Sequence, residues 1–505
     1  MTQTARQTWL GFLRSNMFLL PLAEVSDGPV RMRRMLRLSL LQITVGMALV
    51  LLTGTLNRVM ILELGVAARV VAVMVALPVL FAPARLLVGF RSDHHRSVLG
   101  WRRVPYIWFG SLAQFGGFAI MPFALLILSG DTSGPLWVGD ASAALAFLLV
   151  GAGLHTTQTA GLALANDIVA EEDRPRVVAI LYVMLLLGML FSALLFGYLL
   201  HDFSQIKLIQ VVQAAAVITV VANLVALWKQ ETFRRQTPAE ANAEARPDFL
   251  GTWRAFSSKL RMQRFLLAVG LGSMGFAMQD ILLEPYGGEI LNLSVGATTA
   301  LTALYAAGAL VAFMFAGERL SRGGNPYRLC ANGALIGILG FSFVVFAAPL
   351  SSVMCFRMGT FLIGLGGGLF CVGTLISAMA FGAQESTAKG GLANPSGHAD
   401  AGASSVTSMN GFALGAWGAV HATAVGIGVA AGGTLRDVVS GYAVRGGLGT
   451  GFEDPVLGYT VVYHIEILLL FAMLVVLGPL VNMPPRETSP ALPNGRFGLS
   501  DFPSL

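Results

Sequence analysis

Long apolar runs bounded by charge or by Gly and Pro clusters constrain this chain more than any other feature. They fall near 36–62, 66–90, 105–129, 138–169, 175–200, 206–228, 264–291, 295–316, 328–349, 352–381, 407–434 and 457–481. A run of roughly 20 apolar residues, rising 1.5 Å per residue, crosses the hydrocarbon of a bilayer as a helix. Only 12% of the 505 residues are charged and 55% are hydrophobic, against about 25% charged in a typical soluble domain. The expected fold is therefore all-α and polytopic, with twelve transmembrane helices.

Charge gives the orientation and the partition. Most of the 33 Lys and Arg lie in segments that alternate with the runs, among them Arg31, Arg33, Arg34, Arg91, Arg96, Arg102 and Arg103. The opposite loops keep Arg69, Lys207, Arg436 and Arg445. The excess marks the cytoplasmic side and places both termini there. The segment Lys229 to Arg264, with Arg234, Arg235, Arg246, Arg254 and Arg261, divides the runs six and six. The expected organisation is a cytoplasmic segment 1–35, a six-helix half 36–228, a linker 229–263, a second half 264–481 and a cytoplasmic tail 482–505. Leu10, Leu13, Met17 and Leu20 recur at helical spacing beside Trp9 and Arg14, a pattern suited to an interfacial helix; an unstructured tail is the alternative. No cleavable signal peptide is expected there.

The net charge of +6 does not point to nucleic acid, because the cations are scattered between apolar runs. Cys330, Cys355 and Cys371 lie in or beside apolar runs without metal-ligand spacing, so no metal site and no disulfide framework is expected. No phosphate loop, HExxH helix or GxSxG elbow occurs, and no catalytic residue or enzyme activity is expected.

The halves echo one another. Gly151-Ala-Gly153-Leu154-His155 recurs as Gly366-Gly-Gly368-Leu369-Phe370, with Thr159 against Thr374, and Gly89-Phe-Arg-Ser-Asp93 recurs as Gly317-Glu-Arg-Leu-Ser321. Two related six-helix halves about an axis normal to the membrane is the architecture of the major facilitator superfamily. Its gating motif after the second span, G-x-x-x-D-x-x-G-R-R/K, resembles Gly89, Asp93, Gly100, Arg102 and Arg103, with a longer gap before Gly100 and with Ser321 replacing the second-half Asp.

Polar groups at membrane depth are costly and mark candidate sites. Span 4 carries His155 and Gln158 among threonines, which either line a central cavity or bond neighbouring helices. In span 7, Asp280 and Glu284 are four apart on one expected helix face, ahead of Pro285. That pair suits proton coupling or, for Glu284, an interfacial carboxylate at a kink. Tyr463, His464 and Glu466 form a polar cluster in span 12, read either as a binding site or as a His–Glu pair satisfied within the bundle. His421 sits mid-membrane in span 11.

Several strings narrow the reading further. Arg31-Met-Arg-Arg-Met-Leu-Arg37, Gly54-Thr-Leu-Asn57-Arg58-Val-Met60, Gly100-Trp-Arg-Arg-Val-Pro105-Tyr106, His155-Thr-Thr-Gln158-Thr-Ala-Gly161, Gln279-Asp280-Ile-Leu-Leu-Glu284-Pro285-Tyr286-Gly287-Gly288 and Val462-Tyr463-His464-Ile-Glu466 resemble the bacteriochlorophyll-delivery (PucC/LhaA) branch of that superfamily, from about Leu22 to Leu480. The stretch Gly382 to Ser405 reads as a longer inner loop than the family's. The resemblance implies an assembly factor for photosynthetic light-harvesting complexes in the bacterial inner (intracytoplasmic) membrane. It would handle bacteriochlorophyll and the antenna α and β polypeptides, with pigment-synthesis enzymes as further partners. A neutral imidazole such as that of His464 is then a candidate ligand for the pigment's magnesium. A proton-coupled transporter of a small solute is the alternative.

Overall fold

The computed structural model describes residues 29–80, 103–130, 135–168, 174–228, 230, 260–390, 400–447 and 454–481. Their regular structure is helical, with no strand among the described residues. The helices are α1 (Arg34–Glu63), α2 (Ala68–Leu80), α3 (Val104–Leu128), α4 (Leu136–Ile168), α5 (Arg174–Leu199), α6 (Gln205–Leu227), α7 (Leu260–Glu289), α8 (Val295–Ser321), α9 (Pro326–Ala347), α10 (Val353–Gly390), α11 (Asp400–Val444) and α12 (Val456–Val481). Among the described residues, all but α2 are long and apolar enough to cross a membrane, which makes eleven such helices. The protein is thus a multi-pass membrane protein. Of the expected second span, 66–90, only Ala68–Leu80 is described. The interfacial helix around Leu10, the motif residues Gly89, Asp93, Gly100 and Arg102, residues 231–259 of the linker and the tail from 482 lie outside the described residues. Arg103 is described, and is buried just ahead of α3.

Helix starts follow local chemistry. Ser204 and Ser294 accept hydrogen bonds from the backbone at Lys207 (3.2 Å) and Ala297 (3.3 Å) at the starts of α6 and α8. Asn325 does the same at Tyr327 (2.8 Å) ahead of Pro326 in α9. Two expected boundaries need correction. The backbone is helical through Gly390 in α10 and again from Asp400 in α11, so the described residues of the expected loop Gly382–Ser405 are helix, and 391–399 lie outside the described residues. Because α11 continues to Val444, Arg436 stands within a helix and not in an outer loop.

Packing repeats with an offset of six helices. Helix α1 packs on α5 and α6 as α7 packs on α11 and α12; α3 packs on α4 and α6 as α9 packs on α10 and α12; α2 packs on α4 as α8 packs on α10. The two sets of six meet where α2 packs on α11 and α5 on α8. Glycines set the closest crossings. A Cβ on Gly153 would fall 2.7 Å from the backbone N of Gln114 on α3, and one on Gly366 would fall 2.7 Å from that of Gly337 on α9. Gly151 faces Pro78 of α2 while Gly364 faces Tyr305 of α8. These contacts pair Gly151 with Gly364 and Gly153 with Gly366, two residues away from the register of the sequence echo. The run Gly366-Gly367-Gly368 offers several alignments in sequence, and only the helix crossing selects one.

Candidate functional site

The polar interior centres on a break in α7. Its first α-helical stretch ends at Ala277, a 3-10 turn occupies Met278–Ile281, and helix resumes at Leu283–Glu289. Pro285 has no N–H to offer the carbonyl four residues back, that of Ile281. Asn57 of α1 supplies the missing donor, its Nδ2 lying 3.0 Å from the Ile281 oxygen. The break also separates the two carboxylates expected on one face. Glu284, 2% exposed, accepts from Thr302 of α8 at 2.5 Å and abuts Gly54 of α1. Asp280 is half-buried, accepts from Gln279 Nε2 at 2.5 Å, and its charge acts on Tyr305 of α8 and Glu466 of α12. The i, i+4 pairing is therefore lost to the 3-10 turn. Glu284 is buried within the bundle, beside the break in α7.

Arg58 is the principal residue that the sequence reading overlooked as a site. It is 5% exposed, donates to Glu63 at 2.6 Å and to the Leu293 carbonyl at 3.1 Å, and acts electrostatically on Glu284. The signal was available, since it is an arginine inside an apolar run.

A second network ties α7, α11, α12 and α2. Arg436 pairs with Glu289 and, at 2.9 Å, with Asp437. Tyr459 donates to Glu289 at 2.6 Å beneath the Arg436 guanidinium, which lies 4.8 Å from the ring centroid. The remaining Asp437 oxygen accepts from the backbone of Arg69 at 2.8 Å. Alongside runs an aromatic column in which Tyr286 meets Tyr459 and Tyr463 edge-on at 5.3 and 5.7 Å.

The span 12 residues do not form one cluster. Tyr463 and Glu466 are fully buried and point into the bundle, whereas His464 is exposed. Positions two apart on a helix differ by about 200°, so His464 and Glu466 can neither pair nor share one ligand. His464 Nδ1 lies 2.7 Å from the carbonyl of Thr460. A carbonyl only accepts, so Nδ1 carries a proton, and in the neutral imidazole it is Nε2 that holds the lone pair. On the same face, at helical spacing, stand the exposed Leu468, Phe471 and Val475.

The other histidines sit inside. His421 bonds Ser273 of α7 through Nδ1 at 2.7 Å and stacks on Trp417 at 5.2 Å, which makes it an α7–α11 contact. His155 is half-buried and Gln158 buried, and both are engaged within the molecule. Between them Thr157 accepts from Gln114 of α3 at 3.1 Å, the interhelical bonding foreseen as one reading of span 4.

An all-helical membrane protein built from two sixfold packing patterns with ionisable groups inside has the major facilitator fold. The solved structure of the nucleoside transporter NupG superposes with a TM-score of 0.58 at 14% identity, covering 88% of this chain and 98% of that one. A bacterial homologue of the iron transporter ferroportin, inward-facing, gives 0.57 at 15%, covering 90% of this chain and 100% of that one. Within that fold the chain belongs to the PucC protein family, whose model matches residues 55–484. It is 50% identical over 489 residues to an uncharacterized protein of the puhA-bchM intergenic region of Rhodobacter capsulatus, covering 96% of this chain and 97% of the relative. It is also 50% identical over 424 residues to Protein PucC of Rhodovulum sulfidophilum, covering 83% and 88%.

Proposed function

We propose that this protein is an assembly factor for photosynthetic light-harvesting complexes, holding bacteriochlorophyll and attending the antenna α and β polypeptides within the bacterial inner (intracytoplasmic) membrane, with both termini cytoplasmic. Family membership supports the setting. The observation that carries the chemistry is His464. Its Nδ1–H is committed to Thr460, its Nε2 is free to ligate, and it opens an exposed apolar stripe on a bilayer-length helix. A magnesium tetrapyrrole would need a nitrogen donor beside an apolar surface, which His464 with Leu468, Phe471 and Val475 would offer; when bound, the pigment would supply the metal that an imidazole ligates. His421 fits less well, because Ser273 and Trp417 already occupy its ring. An embedded carrier also answers a solvation problem, since the pigment's isoprenoid tail would cost about 25 cal/mol per Å² of apolar surface held in water.

The test is genetic and spectroscopic. Deletion of the gene in a purple phototroph that carries it is expected to remove most antenna absorption, and wild-type complementation is expected to restore it. Unchanged antenna absorption in the deletion strain contradicts the proposal. A second reading, proton-coupled transport of a small solute, is favoured by Asp280 and Glu466 at membrane depth. It requires alternating access, so cross-links between α2 and α11 that leave function intact count against it.

A further inference from the structure

The contact between α7 and α12 contains more carboxyl oxygen than its surroundings satisfy. Glu466 is 0% exposed, and neither of its carboxyl oxygens makes a well-aligned hydrogen bond, the backbone of Gln279 being the donor that acts on it. The Oε1 of Gln279, itself 2% exposed, and the hydroxyl of the fully buried Tyr463 are unpartnered in the same place. Asp280, on the 3-10 turn packed against α12, is the second carboxyl and retains partial exposure.

The groups brought by the neighbouring helices are committed elsewhere. Arg58 of α1 serves Glu63, the Leu293 carbonyl and Glu284. Arg436 of α11 serves Glu289, Asp437 and Tyr459. Helix α2 offers Arg69, whose backbone caps onto Asp437. Tyr305 of α8, Cys330 of α9, Cys371 of α10 and Tyr459 and Tyr463 of α12 carry no positive charge. Among the described residues, no cation pairs with Asp280 or Glu466.

Two carboxylates within electrostatic reach in an apolar interior cannot both be ionised without a compensating cation. We propose that Asp280 and Glu466 together hold one dissociable proton, making the α7–α12 contact a proton-binding site at membrane depth. Asp280, the partly exposed member, exchanges the proton, and Glu466, fully buried behind it, shares it, so the pair carries one negative charge while the proton is bound and two once it leaves. Charging both carboxyls sets like charges against each other across the contact and so opposes its closure. The site stands whether or not the protein handles pigment.

The test is infrared spectroscopy of the full chain in nanodiscs, stepped through pH with and without 13C-labelled glutamate. The expected result is a protonated-carboxyl stretch at neutral pH that moves with the glutamate label, is lost in Glu466→Gln, persists in Glu284→Gln and titrates at a different pH in Asp280→Asn. The glutamate label needs no substitution, so the outcome does not depend on a variant folding. A label-sensitive band that survives Glu466→Gln, or the absence of such a band at every pH, overturns the proposal. Sodium added at constant pH is expected to leave the band unchanged; its bleaching by sodium overturns the proton assignment in favour of a metal cation.

Discussion

Asn57 of α1 donates to the carbonyl of Ile281 in α7 at 3.0 Å, filling the hydrogen bond that Pro285 cannot make. Asn57→Ala strands that carbonyl in a buried, apolar setting and is expected to lower stability by about 1–3 kcal/mol. In a Pro285→Ala background the new N–H can reach Ile281, so the cost of Asn57→Ala is expected to shrink. A double-mutant cycle read by denaturation in detergent checks this, and additive effects would contradict it.

Thr302 supplies the one hydrogen bond to Glu284 found among the described residues. Thr302→Ala is expected to cost about 1–3 kcal/mol and Thr302→Ser much less, because the serine keeps the donor. Gly54→Ala places a methyl against the same carboxylate oxygen and is expected to destabilise by about 1–3 kcal/mol. Thermal melts of the three variants test the set.

Crossings of α3 with α4 and of α9 with α10 require backbone contact. Gly153→Leu and Gly366→Leu are each expected to lower the yield of folded protein, whereas Gly116→Leu, where nothing lies within 4 Å of a Cβ, is expected to be tolerated. Size-exclusion profiles in detergent distinguish them.

His464 faces outward, so His464→Phe is expected to leave the melting temperature unchanged while reducing antenna yield. Glu466→Leu is expected to change both, since its side chain lies within the bundle. Loss of folding in His464→Phe would mean that the histidine serves the bundle.

The bundle was legible in the sequence because hydrocarbon imposes a length on every apolar run; the predicted starts of α3, α5, α6, α9 and α12 fall within a few residues of those observed. The site was less so. Which face of α12 carries which residue follows from three-dimensional packing, and a local reading of Tyr463-His464-Ile-Glu466 as one cluster merged an inward carboxyl with an outward imidazole. The Asp280–Glu284 pairing failed because a 3-10 turn is invisible to i, i+4 spacing, although Pro285 signalled an interruption nearby. Arg58 shows in the sequence only as an arginine inside an apolar run, because its partners beyond Glu63 come from α7 and from the turn leading to α8, which the fold alone brings to it.

Pigment retention tests the central claim most directly. Wild-type protein and His464→Phe, purified in mild detergent from pigmented membranes, are compared by absorption spectroscopy at equal protein concentration. Wild type is expected to carry bacteriochlorophyll and the variant several-fold less, at equal melting temperature. Equal pigment in the two, or none in wild type across repeated preparations, contradicts the account.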